Sequence, residues 1–105
     1  VPWPRLFRRR PRRAFDLDPL PQRVLLVLRR YESATFATVR AEIEAQRPAA
    51  PRDILGALLQ LEENGLIVRL PPEPGSGARF ARTPAGRRLT DLLPPDPRSP
   101  TTFYL

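Results

Sequence analysis

Cysteine and histidine are absent from this 105-residue chain, and all 18 of its basic residues are arginine. Without cysteine there is no disulfide and no thiolate nucleophile. Without either residue the usual zinc ligand sets are gone, and with histidine goes the side chain most used as a general base near neutral pH. Long apolar runs are missing too: the longest, residues 24–28, falls far short of the roughly 20 needed to cross a bilayer. No apolar stretch with a small-residue cleavage site follows the basic start. The acids offer no catalytic pair. Asp16 and Asp18, Glu42 and Glu44, and Glu62 and Glu63 stand one or two positions apart, a spacing that on a helix turns side chains away from each other. Ser76 between two glycines reads as a flexible loop tip, because no Lys accompanies it as in a phosphate cradle. The expectation is a soluble, cytoplasmic protein that is not an enzyme, with no cofactor, no metal, no membrane association and no evident small-molecule ligand.

What is present is positive charge, unevenly placed. The formal charge is +7, yet residues 1–15 contain six arginines and no acid, so the other ninety residues carry twelve arginines against eleven acids, a net of +1. A nearly neutral body therefore carries a polycationic arm. Arginine alone suits bidentate contacts with phosphate or carboxylate, and it equally follows from a GC-rich genome. At 41% apolar residues the chain holds enough for one modest core.

Residues 1–18 form an Arg-rich extended arm, whose three prolines in the first thirteen residues and scarce apolar surface disfavour order on its own. Its last residues, with Pro19 and Pro21, make a stiff lead-in to a first helix over 22–31 that turns Val24, Leu25 and Leu28 inward. After a short connection, Thr35 or Thr38 caps a second helix, ending near Gln46, with Val39 and Ile43 on one face. A turn over 47–51 leads to a third helix over 51–64, begun by Pro51, with Ile54, Ala57, Leu58 and Leu61 inward and Gly65 as its left-handed stop. Residues 66–70 read as a strand, 71–77 as an irregular loop and 78–83 as the partner strand with Phe80 inward. Pro84 starts a fourth helix with Leu89, Leu92 and Leu93 at helical spacing. The Pro-rich tail 94–105 is expected to be mobile, although Phe103, Tyr104 and Leu105 form an apolar end able to dock.

Ala57-Leu58-Leu59-Gln60-Leu61-Glu62-Glu63-Asn64-Gly65-Leu66-Ile67, then Arg79-Phe80-Ala81-Arg82-Thr83, then Gly86 and Leu89, resemble the winged-helix regulators of bacteria. The PadR family is nearest in pattern and the MarR-like proteins come next. The resemblance covers about three-quarters of the chain and implies an α+β fold, mainly α with a small β-hairpin. Its order is three helices, strand, wing, strand, helix over a domain at 19–93. It also implies a small DNA-binding, transcription-regulator-like protein whose third helix lies in a major groove.

The third helix offers few groups for that role. With Ile54 as origin and about 100° per residue, Arg52, Leu59, Glu63, Gly56 and Gln60 fall opposite the apolar stripe, flanked by Asp53 and Leu55. Arg52 and Gln60 are the base readers among them. Asp53, Glu62 and Glu63 against Arg52 give the helix a net charge of −2, whereas DNA attracts positive charge. Members of the resembled families commonly carry basic residues where this chain has Leu59 and Gln60. Further DNA contacts would come from Arg47 in the preceding turn, from Arg69, Arg79 and Arg82 flanking the wing, and from Arg8, Arg9, Arg10, Arg12 and Arg13 of the arm. For the arginines of the body, a solvated or locally paired surface role is the competing reading. The alternative function is a winged helix turned protein-interaction module. Trp3 and Phe7, interleaved with the arm's arginines, and Leu55 and Leu59 on the outer side of the third helix would bind an acidic or hydrophobic partner. The arm or residues 103–105 covering the two leucines is the simpler account of them. A homodimer would have to use the first helix, the arm or the tail.

Overall fold

The computed structural model describes residues 14–104. Nine elements follow in order: β1 (Ala14–Leu17), α1 (Pro19–Leu28), β2 (Ala34–Thr35), α2 (Phe36–Gln46), α3 (Pro51–Glu63), β3 (Ile67–Leu70), β4 (Arg79–Arg82), α4 (Pro84–Leu92) and β5 (Thr101–Tyr104). The fold is a winged helix. α1 is its centre, packed on α2, α3, α4 and β4. Its residues 21–25, 27 and 28 are all buried, as expected of a helix surrounded on every side. The helix starts at Pro19, three residues before the expected Gln22, because the N–H groups of the first turn have no intrahelical partner and prolines there forfeit nothing. It ends at Leu28 rather than Tyr31, where Arg30 N and Tyr31 N tighten onto the carbonyls of Val27 and Leu28.

Local chemistry explains the boundaries. The Thr35 hydroxyl accepts from Thr38 N and caps α2, settling which threonine does so. α3 closes in a paired-bond C-cap: Leu66 N donates to Leu61 O at 2.9 Å and Gly65 N to Glu62 O at 3.0 Å, with Gly65 at φ 72° as this motif demands. In the wing, Ser76 N donates to Glu73 O at 3.0 Å. Pro74 sets the turn, and Gly75, at φ 81°, takes the position that needs positive φ. Phe80 is buried as expected.

Three features depart from the sequence reading. The hairpin gains a third strand, because β2 pairs with β4 (Ala34 opposite Phe80) to give the order β2-β4-β3. The connection before α2 is thus part of the sheet. Leu92 is 73% exposed, not inward. The buried face of α4 consists of Gly86, Leu89 and Thr90, continued by Leu93 at its C-cap, and with two small residues in that stripe its centre lies roughly 100° from Leu92. Most consequentially, the expected mobile tail is ordered through residue 104. β5 pairs antiparallel with β1, Phe15 opposite Phe103 with ring centroids 5.8 Å apart.

A buried side chain explains why the tail returns. Gln22, fully buried, donates from Nε2 to Leu17 O at 2.8 Å and Ser99 O at 3.1 Å, and accepts from Thr101 Oγ1 at 3.3 Å. The end of β1 and the start of β5 are thereby tied to the first turns of α1. Gln22→Ala removes the side-chain donor from the buried Leu17 carbonyl and from the Ser99 carbonyl at an exposed residue, and the loss at Leu17 costs about 1–3 kcal/mol. The expected outcome is selective loss of amide-exchange protection in residues 101–104. Unchanged protection there would show that the strand pairing holds the tail unaided.

Candidate functional site

α3 presents Ile54, Ala57, Leu58 and Leu61 to the core, so the outward stripe is the one anticipated. Arg52 is exposed in the first turn and has no carboxylate partner among the described residues. Ala50, the residue before α3, provides no side-chain cap; Pro51 has no N–H and Asp53 N donates to Ala50 O at 3.0 Å, so the N–H of Arg52 is the one left at the positive end of the helix dipole, beside its own guanidinium. Asp53 adjoins it, also exposed. One and two turns on, Leu55 and Leu59 are 43% and 41% exposed, and Gln60 is half-buried. Phe103 does not cover the leucines, being buried on the β1 side.

Leu55 forms one wall of an apolar hollow of about 530 Å³, whose other walls are Phe36 at the start of α2, the wing at Gly75 to Ala78, and Phe80. The α2 start, the outer side of α3 and the wing thus converge on one face. Arg69 reaches into it, its guanidinium carbon 5.5 Å from the Phe80 ring centroid, a cation–π distance, with Glu62 Oε1 at 3.5 Å.

Two more of the expected contact arginines, Arg47 and Arg79, are engaged by acids. Arg47 Nη2 donates to Asp96 Oδ1 at 2.8 Å and to Pro97 O at 3.3 Å. Arg79 Nη1 lies 3.3 Å from Glu73 of the wing tip, donates to Ser33 Oγ at 3.4 Å, and leaves its buried Nε unpartnered. Such part-exposed pairs contribute at most about 1 kcal/mol each, little enough for a phosphate to displace the acid. Arg82 lies elsewhere, in the last position of β4 against α4. Burial depresses its pKa first, then the charge of Arg87, with Asp91 opposing and Arg29 adding to the shift. Geometry thus gathers Leu55 and Arg69 beside the wing, with Arg79 paired to the wing tip; Arg52 and Leu59 share the outward stripe of α3 with Leu55, and Arg82 is set apart. Arg8, Arg9, Arg10, Arg12, Arg13, Trp3 and Phe7 lie outside the described residues.

The sequence reading overlooked Phe36 and Ala78 as walls of the hollow and Arg23 as a buried cation. Phe36 had a signal, an aromatic residue directly after the capping Thr35. Arg23 had a weaker one, a charge inside the apolar run of α1.

The chain is similar to the solved structure of BpsR from Bordetella bronchiseptica, whose DNA binding is regulated by 6-hydroxynicotinic acid, with 19% identity and a TM-score of 0.59 over 70% of this chain. It spans about half, 53%, of the length of that protein. No protein-family model matches the chain and no curated protein matches it significantly. At this identity the likeness is one of fold. No helix among the described residues is long and apolar enough to cross a membrane.

Proposed function

We propose that this chain is a DNA-binding winged helix of transcription-regulator type, acting in the cytoplasm and engaging duplex DNA through the start of α3, the wing arginines and the N-terminal arm. PadR-like or MarR-like kinship is part of that reading, supported by the Leu-x-x-Leu-Glu-x-x-Gly-Leu-Ile run and the Phe80, Thr83 and Gly86 spacing. The observation that carries it is Arg52, exposed beside the uncapped N-terminus of α3, where backbone dipole and guanidinium both favour a phosphate. DNA binding by the structurally similar BpsR supports the same reading. The contacts available are mostly to phosphate, since Leu55 and Leu59 occupy the middle of the outward stripe and have no hydrogen bond to give a base edge. Affinity should therefore depend weakly on DNA sequence and steeply on salt.

The test is titration of fluorescent duplexes of unrelated sequence at two salt concentrations. Arg52→Ala is expected to weaken all of them alike by roughly five- to tenfold and to flatten the salt dependence by about one contact. No measurable binding at low salt, or identical affinity for the variant, overturns the reading.

The hollow bounded by Phe36, Leu55, Ala78 and Phe80 favours a second reading, in which the same face holds a protein. Leu59→Glu separates the two. Adding another acid to α3 weakens DNA binding further by charge, whereas loss of a co-purifying protein with DNA affinity unchanged identifies the interaction module.

A further inference from the structure

A second arginine cluster, unused by the reading above, lies where the C-terminal ends of α1 and α2 meet the tail. Arg23 is only 7% exposed. Its Nη2 donates to Ile43 O at 3.0 Å and Arg47 O at 3.2 Å, closing the C-terminal end of α2, and its buried Nε has no partner. Together with Arg29, Arg30, Gln46 and the tail around Asp96, it lines a cleft of about 400 Å³. The acids nearby are already engaged. Glu42 pairs with Arg30 at 3.1 Å, and Asp96 with Arg47 at 2.8 Å and Arg98 at 3.2 Å. Arg23 and Arg29 have no carboxylate partner among the described residues. Desolvation first, and then the charge of Arg47, press the Arg23 pKa down, with Asp96 offsetting in part. The cation is thus held where it is poorly solvated and incompletely neutralised, which an entering anion relieves.

We propose that this cleft binds a phosphate group, with Arg23 and Arg29 as its principal ligands and Asp96 as the acid whose charge it opposes. Phosphate fits the excess of two guanidinium charges better than a monovalent anion, and its tetrahedral oxygens accept at once from the guanidiniums of α1 and its C-terminal turn and from the Gln46 amide of α2. The phosphate belongs either to a free monoester or to a DNA backbone. The inference does not rest on the proposed DNA-binding face, from which Arg23 and Arg29 are absent.

The test uses the full chain, titrated with inorganic phosphate against chloride at constant ionic strength and followed by the arginine Nε–H resonances. A saturable shift of Arg23 and Arg29 is expected. Arg29→Gln, at an exposed position, should leave the unfolding temperature in phosphate-free buffer unchanged and weaken binding roughly tenfold or more. Asp96→Asn should tighten it by removing the opposing charge. Displacement of bound phosphate by phenyl phosphate but not by a duplex identifies a free monoester as the source, and displacement by the duplex identifies the DNA backbone. Either result upholds the site. A non-saturating titration, or an affinity that Arg29→Gln leaves unchanged, overturns it.

Discussion

Gly86→Ala is expected to destabilise the fold by at least about 3 kcal/mol, a loss at the upper end for single substitutions, and to lower the unfolding temperature by more than about 10 °C. A Cβ built on Gly86 would stand 1.9 Å from the carbonyl oxygen of Leu66 and 2.9 Å from its carbon. Both are backbone atoms, so no rotamer change relieves the clash. Nor is Leu66 free to retreat. Its N–H closes the α3 C-cap on Leu61 and its carbonyl accepts from Thr83 N at 3.0 Å. Thr83 in turn donates from Oγ1 to Gly65 O at 2.6 Å and accepts from Gly86 N at 3.1 Å, so the end of α3 and the start of α4 form one hydrogen-bonded corner. Moving α4 outward would break that corner and uncover Leu89 and Leu93, both buried. Gly56 supplies the control. It is in the middle of α3 with nothing within 4 Å of an added Cβ, so Gly56→Ala should be stabilising by about 0.5–1 kcal/mol through helix propensity. Chemical denaturation of both variants checks the pair, and equal stabilities would show that this corner yields where the backbone geometry says it cannot.

That corner also explains why this part of the fold was legible in the sequence. Asn64-Gly65-Leu66 and Thr83-Pro84 each need one backbone conformation for a local reason, and local reasons leave a mark in composition and spacing; Gly86 is needed for its close approach to Leu66. The α3 stripe was legible on the same ground, since Ile54, Ala57, Leu58 and Leu61 repeat at the helical period. The β1–β5 ribbon was not. Its two strands are separated by most of the chain, and besides Leu17 and Phe103 in the core what ties them to the body is a buried amide, Gln22, that nothing distinguishes from a surface glutamine by type. Leu92 misled because a stripe anchored by Gly86 and Thr90 leaves no apolar signature. In the candidate site, the acidity and exposed leucines of α3 could be read from helical phase alone. The pairing of Arg47 with Asp96 could not, because it requires the tail to fold back across 49 residues.

Removing residues 1–13 is expected to have the largest effect on DNA affinity of any change in the chain. The body carries little net charge to release counterions with: α3 is net negative, and Arg47, Arg69 and Arg79 each begin beside an acid that a phosphate must displace. The six arginines of residues 1–13 have no acid among them. On duplex DNA, each phosphate neutralised contributes about 0.9 to the slope of log affinity against log salt, so engagement of most of the arm accounts for roughly four to five units. Deletion should flatten the salt dependence by that amount. It should also lower affinity at about 50 mM salt by roughly a hundred- to a thousandfold, against the five- to tenfold expected for Arg52→Ala. The two losses should add, because an arm working through counterion release and a helix terminus working through one oriented contact share no partner group. A truncated chain that keeps the full salt slope would assign the phosphate contacts to the body instead, and would mean that its acid-paired arginines exchange partners readily when DNA arrives.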